Sequence, residues 1–113
     1  MTIHEQFTPN FKPQKRPKNP EYLRMVRQLP CCICEAYGEP QMSATQAHHP
    51  IHGRYRTTRA PDETAIPLCE GHHQGDLDKT KLAIHGGKET WADRYGLDTE
   101  WIAATQDKIG GGQ

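Results

Sequence analysis

The chain has 113 residues, of which 34% are apolar, and it carries 14 basic and 14 acidic side chains. This length allows one small domain, and so modest an apolar content makes a bound metal a candidate stabiliser of the fold. No apolar run approaches the roughly 18 residues of a membrane span, and the first six residues lack the apolar core of a signal peptide. We therefore expect that the protein does not associate with membranes and that it resides in a reducing cytoplasm.

The basic residues are concentrated toward the N-terminus although the net charge is zero. Residues 1–30 carry a balance of +4, residues 31–60 carry +1, and residues 61–113 carry −5. A basic arm followed by a basic loop is typical of proteins that bind phosphate backbones, and it also suits a solvated surface. Residues 1–19, which contain Pro9, Pro13 and Pro17, are predicted to form a flexible, disordered basic arm.

A short helix is predicted directly after the arm. Asn19 can cap it, Pro20 suits its first position, and Glu21 places an acid in its first turn. Apolar residues then recur at helical spacing on one face: these are Tyr22, Met25, Val26 and Leu29. Pro30 is predicted to end the helix.

Two short strands and a helix are predicted in the middle of the chain. Residues 43–47 form a weak strand that leads into His48, and residues 64–68 form a second strand, confined to a sheet edge by Pro67. A polar loop, residues 53–62, connects them. A helix is predicted to begin at Cys69, so the order is strand, loop, strand, helix.

The C-terminal part is predicted to contain two more helices. The first spans residues 88–95 and contains Trp91, and the second is capped by Asp98 and contains Trp101. Both tryptophans are predicted core residues. Residues 110–113 are predicted to form a flexible glycine tail.

Three cysteines and one histidine have the spacing of a metal site. Cys31 and Cys34 form a Cys-x2-Cys pair, while Cys69 and His72 form a Cys-x2-His pair, which together match a closed tetrahedral zinc site. Two disulfides are the alternative, which the lack of a secretory signal disfavours. Cys32 falls outside the spacing and is interpreted as a small packing residue.

Further histidines crowd the same part of the chain. Adjacent residues on a helix differ in direction by about 100°, so His72 can face the zinc while His73 faces a neighbouring cleft. His48 and His49 can both reach that cleft only if the backbone bends there, because side chains alternate along a strand.

The order of these motifs resembles a known family. Leu29-Pro30-Cys31-x-x-Cys34, Ala47-His48-His49, Ile66-Pro67-Leu68-Cys69-x-x-His72-His73 and Ile84-His85-Gly86 are similar to the HNH, or ββα-metal, endonucleases, in particular to the phage-associated recombination-enhancement nucleases. The resemblance covers about residues 29–96. It implies an α+β fold of ββα-metal, treble-clef-like type, a zinc finger with flanking helices over residues 20–109.

The resemblance also implies roles for single residues. His48 and His73 would bind a catalytic metal, and His49 would be the general base. His85 would be a third ligand if the helix breaks after His73, which Gly75 permits. The Asn of the HNH name has no match here. Asp62 and Thr64 lie near its place, and Asp62 is interpreted as a structural hydrogen-bond acceptor or, alternatively, as a plain turn residue.

The implied activity is hydrolysis of DNA phosphodiester bonds with a structural Zn²⁺ and a second divalent cation. Zn, Mn, Ni and Co suit imidazole ligands better than Mg does. Arg54, Arg56 and Arg59 on the loop would contact DNA phosphates, and His52 would assist them or have no role. The resemblance further implies a phage or prophage gene in a bacterial host cell and, as a second candidate partner besides DNA, a recombinase filament.

Two other classes of function stay open from the sequence. A non-catalytic, zinc-stabilised nucleic-acid-binding module would need the zinc ligands and the arginines but not His49. A zinc-stabilised protein-interaction domain would need neither the histidine pairs nor the arginines. Cleavage specificity and oligomeric state are not determined by these motifs.

Overall fold

A two-stranded antiparallel sheet and the helix that follows it lie at the centre of an α+β fold. The computed structural model describes residues 17–53 and 59–111. Within these ranges the helices α1 to α5 span Pro20–Arg27, Cys32–Tyr37, Glu70–His73, Lys88–Tyr95 and Ile102–Gly111. The strands β1 and β2 span Thr45–His48 and Ile66–Cys69, and short 3-10 helices span Asp62–Thr64, Ile84–Gly86 and Asp98–Trp101. The predicted α+β class is confirmed.

Helix α1 begins as its sequence predicts but ends at Arg27, before Leu29 and the predicted stop at Pro30. The Asn19 side chain accepts a hydrogen bond from the backbone N–H of Tyr22 at 3.1 Å, and Pro20 occupies the first turn. Val26 is fully buried, so the apolar face packs inward. The predicted arm lies outside the described residues as far as residue 16.

Helix α2 was not predicted, because six residues are too few to establish a helical period. Its N-cap is Cys31, whose sulfur accepts from the N–H of Cys34 at 3.5 Å. Gly38 ends the helix in a left-handed conformation with φ of +67°. The pair of cysteines thus stands on the first turn of a helix.

Cys69, the last residue of β2, is followed directly by the first residue of α3. Thr45 lies opposite Cys69 and Ala47 lies opposite Pro67. The proline is tolerated because each strand of a two-stranded sheet is an edge. Helix α3 has only four residues, and Gly75, with φ of +72°, turns the chain back after it.

The core lies between the sheet and the helices that flank it. Its fully buried members include Ile33, Ile66, Leu68 and Trp91. Trp101 is only partly buried but packs against this cluster, and Cys32 belongs to it, as expected for a packing residue. Burial raises the pKa of the Cys32 thiol to about 12.

The C-terminal end corrects one prediction. Helix α5 continues through Gly110 and Gly111, so the tail does not leave the helix at residue 110. A glycine in a helix costs only about 1 kcal/mol, which the preceding turns can offset. The last two residues lie outside the described chain. None of the described helices is long and apolar enough to span a bilayer.

Gly75→Ala should destabilise the protein more than Gly38→Ala. Both glycines have left-handed φ angles, which cost alanine about 1–2 kcal/mol. An added Cβ at Gly75 would stand 2.7 Å from the Cβ of Ala83, whereas one at Gly38 would meet no atom within 4 Å. Urea unfolding of the two variants measures the difference. Equal losses would contradict the close packing of Gly75 against Ala83.

Candidate functional site

The predicted cluster of three cysteines and His72 is assembled from three elements. Cys31 and Cys34 come from the start of α2, Cys69 ends β2, and His72 lies on α3. The Nδ1 atom of His72 lies 3.5, 3.6 and 3.3 Å from the sulfurs of Cys31, Cys34 and Cys69. The sulfurs of Cys34 and Cys69 are 3.8 Å apart. All four residues are buried.

These distances fit a tetrahedral ion. Zinc bonds of about 2.3 Å to sulfur and about 2.0 Å to nitrogen require separations of about 3.8 Å between sulfurs and about 3.5 Å between sulfur and nitrogen. All four cysteines of the chain are free, and the 3.8 Å between Cys34 and Cys69 is far longer than a disulfide bond of about 2.05 Å. The cluster is therefore compatible with zinc and not with the alternative of two disulfides.

The thiols of the three cysteines differ in pKa. A hydrogen bond from Cys31 lowers the pKa of Cys69 to about 3, and the same bond raises the pKa of Cys31. Burial raises the pKa of Cys34 to about 11. The protein groups alone favour one thiolate among the three, and a bound metal ion would allow all three to ionise.

His72 is held in the orientation that this cluster needs. Its Nδ1 faces the sulfurs, while its Nε2 lies 3.4 Å from the Glu39 carboxylate and 3.4 Å from the Tyr95 hydroxyl. A carboxylate behind a histidine ligand fixes the ring and raises its basicity.

The second cluster brings together three histidines from distant parts of the chain. The potential ligand atoms of His48, His73 and His85 all lie within 4.8 Å of one another. His48 ends β1, His73 ends α3, and His85 lies in the 3-10 helix Ile84–Gly86. His85 returns to His73 because α3 stops after four residues and Gly75 reverses the chain. His48 and His73 are buried, and His85 is exposed.

Hydrogen bonds determine which nitrogen each buried ring offers. The Nε2 of His48 donates to Asp98 at 2.9 Å, because a carboxylate can only accept, so its Nδ1 is available to an ion. The Nδ1 of His73 pairs with the Gln46 oxygen at 2.7 Å, which leaves its Nε2. Burial and the nearby His48 and His85 lower the pKa of His73 to about 3. His73 is therefore neutral at pH 7, as a metal ligand must be.

Asp98 was predicted to cap the last helix, and that prediction is wrong. Leu97 precedes the 3-10 helix, and the fully buried Asp98 carboxylate accepts from the His48 ring and from the backbone N–H groups of Ile51 and His52. Burial raises the pKa of Asp98, but the bonds from His48 and Ile51 outweigh it and the net shift is downward. A buried carboxylate surrounded by donors binds them in preference to capping a helix.

His52 has no free ring nitrogen with which to assist a phosphate. Its Nδ1 accepts from the backbone N–H of Asp98 at 2.8 Å, and its Nε2 donates to the carbonyl oxygen of Lys88 at 2.9 Å. The ring is buried. The predicted phosphate contact of His52 is therefore wrong. Its hydrogen bonds instead connect the loop after β1 to the C-terminal helices.

His49 takes part in a separate hydrogen-bond arrangement. It lies just beyond β1, so strand alternation does not direct it away from His48. Its Nε2 donates to Asp62 at 2.7 Å, so that Nδ1 is the acceptor nitrogen of the neutral ring. The backbone N–H of Asn19 also donates to Asp62 at 2.7 Å, and these two bonds lower the pKa of that carboxyl. Asp62 is thus a structural hydrogen-bond acceptor, as expected.

One cleft connects these groups. A cavity of about 530 Å³ is lined by all three histidines of the second cluster and by His49. Arg59 lines it as well, whereas the other two predicted DNA contacts, Arg54 and Arg56, lie outside the described residues. Arg27 at the end of α1 also lines the cleft, although the sequence assigned it no function. Helix periodicity identified only the buried face of α1, and the cleft forms only in the folded protein.

The fold and the two clusters define a small α+β protein with a candidate zinc site and a candidate second metal site beside a cleft. The model of the DUF968 family, described as a protein of unknown function, matches residues 6–109. The chain therefore belongs to the DUF968 family. Neither the comparison with curated proteins nor the comparison with solved structures gave a match.

The two clusters should differ in their importance for folding. Cys69 is fully buried in the core, so Cys69→Ser should lose metal and fail to fold. His85 is exposed, so His85→Ala should lose metal from the second cluster only and keep the wild-type melting temperature. Elemental analysis and circular dichroism measure both quantities. A folded Cys69→Ser variant with full metal content would contradict the assignment of the first cluster.

Asp98→Asn should weaken metal binding at the second cluster by about 10–100-fold, because the carboxylate orients the ring of His48. Asp107→Asn, which removes an exposed carboxylate from α5, serves as the matched control. Competition titrations with a chelating dye measure the affinity of each variant. Equal affinities in the two variants would show that Asp98 has no such role.

Proposed function

We propose that this protein is a metal-dependent endonuclease of the HNH type that hydrolyses phosphodiester bonds in DNA. The observation that carries the proposal is the position of His49. Its ring lines the same cleft as the three-histidine cluster, and it donates Nε2–H to Asp62. A zinc-stabilised binding module has no use for such a histidine.

The order of elements supports the ββα-metal assignment. Two antiparallel strands lead directly into α3, which carries His72 toward the cysteines and His73 toward the cleft. We propose that the first cluster binds the structural zinc and that the second cluster binds the catalytic cation. The expected recombinase partner and phage origin rest on the resemblance alone and stay predictions.

His49 would act as the general base. Its Nδ1 takes a proton from a water molecule as the water oxygen attacks phosphorus and the bond to the 3′ oxygen breaks, which leaves a 5′-phosphate. Asp62 holds the ring in the required tautomer and stabilises the imidazolium that forms, because its lowered pKa keeps it ionised. Hydrogen bonding of this kind lets the base act without reorienting.

His48, His73 and His85 would hold the cation, which polarises the scissile phosphate and stabilises the leaving oxygen when bound. All three candidate ligands are imidazoles. Transition metals such as Zn, Ni, Co and Mn suit this ligand set better than Mg does. Arg59 lines the cleft and would bind a substrate phosphate.

His49→Ala should abolish cleavage without loss of metal or of DNA binding. Removal of a general base lowers rates by about 10²–10⁴-fold. The assay is nicking of supercoiled plasmid with a panel of divalent metals, together with metal analysis and a DNA-binding titration. Asp62→Asn should give a smaller loss, because the base stays present but is less well oriented.

His4→Ala is the control, since His4 belongs to the N-terminal arm. Two results would refute the nuclease proposal: no cleavage with any metal, or undiminished cleavage by His49→Ala. Retained DNA binding with no cleavage would favour the non-catalytic nucleic-acid-binding module instead.

A further inference from the structure

Arg27 is a cation at the cleft for which the described part of the fold gives no structural partner. It is the last residue of α1, its side chain is exposed, and it lines the cleft beside His48 and His73. Among the described residues, none forms a hydrogen bond or ion pair with its guanidinium. A guanidinium left unpaired at a functional cleft is available to an anionic ligand.

The packing of α1 holds Arg27 in this position. Val26, its neighbour, is fully buried, and Leu23, one turn earlier, lines the cleft. At the start of the helix, the backbone N–H of Asn19 donates to Asp62. Just beyond the end of the helix, the carbonyl oxygen of Leu29 accepts a hydrogen bond from the Thr45 hydroxyl at 2.8 Å. The helix is thus attached at its start to the carboxylate that accepts from His49 and, just after its end, to the strand that carries His48.

The charge of the cleft favours an anion. The described residues that line it include Arg27 and Arg59 but no aspartate or glutamate. Asp62 and Asp98, the carboxylates bonded to His49 and His48, are themselves engaged by N–H donors. The volume of about 530 Å³ exceeds what one phosphate group occupies and is in the range of about 300–1,000 Å³ typical of ligand sites.

We propose that Arg27 binds a phosphodiester group of the substrate next to the one that is cleaved, an inference that rests on the proposed nuclease function. Arg27 lies on α1 and Arg59 lies in the loop before the 3-10 helix Asp62–Thr64, so the cleft offers two cationic contacts besides the candidate metal site. The guanidinium forms paired, charge-assisted hydrogen bonds to phosphate oxygens. Arg27 is therefore a substrate-binding residue contributed by a helix outside the strands and helix that carry the histidines.

A purely structural role for Arg27 is separable from this one. Arg24 and Arg27 both lie in the last turn of α1, where either charge stabilises the helix end. Arg24, however, pairs with Glu21 and does not line the cleft. Arg24→Ala therefore removes a basic charge from the same helix end, together with its exposed pair with Glu21, without changing the cleft.

The test measures DNA binding in the inactive His49→Ala background and cleavage kinetics in the wild-type background. Arg27→Ala should weaken binding of a DNA oligonucleotide about tenfold and lower the slope of log K against log salt by about 0.9. In the active protein it should raise KM with little change in kcat. Arg27→Lys should recover part of the affinity, and Arg24→Ala should leave binding and the salt slope unchanged.

Each outcome bears on the proposal. Equal effects of Arg24→Ala and Arg27→Ala, or a protein that binds no DNA, would overturn the assignment of Arg27. A protein that never cleaves, but whose binding depends on Arg27 and not on Arg24, would refute the nuclease function and retain the phosphate site. Melting temperatures of the variants within a few degrees of the wild type show that the comparison concerns folded proteins.

Discussion

The cluster of three cysteines and His72 is the constraint on which the rest of the site depends. Its ligand atoms come from α2, β2 and α3, so that closing the cluster brings the N-terminal pair of cysteines onto the end of the sheet. The distances between these atoms fit a tetrahedral ion to within a few tenths of an ångström. In a chain with only 34% apolar residues, such an ion would supply folding energy that the small core lacks.

Helix α3 couples the geometry of the first cluster to the geometry of the second cluster. His72 and His73 are adjacent, so a ring fixed among the sulfurs determines where the next ring points. Because His72 and His73 are consecutive in a helix of only four residues, no other residue of α3 lies between the two clusters. Gly75 then reverses the chain, so that His85 reaches the same place from the other side. The folding that forms the first cluster therefore also preorganises the second.

Local patterns predicted the parts of this structure that depend on neighbouring residues. The cap of α1 by Asn19 and the burial of Trp91 follow from helix chemistry and apolar spacing. The role of Asp98 did not, because its partner His48 lies fifty residues away and no period in the sequence relates them. The α2 helix was missed because six residues are too few for a period, and Arg27 because it lies on the polar face of its helix.

The adjacent pair His48 and His49 shows how carboxylates act when they are not metal ligands. Asp98 accepts from the Nε2 of His48, and Asp62 accepts from the Nε2 of His49. In the neutral rings these bonds leave both Nδ1 atoms as acceptors, and in the function that we propose His48 would bind the ion and His49 would accept a proton. Neutral imidazoles alone would leave the full charge of a divalent ion to act on a bound phosphate, because no ligand carboxylate reduces it. Under that proposal, the separate hydrogen bonds to Asp98 and Asp62 would give the two neighbouring histidines different roles.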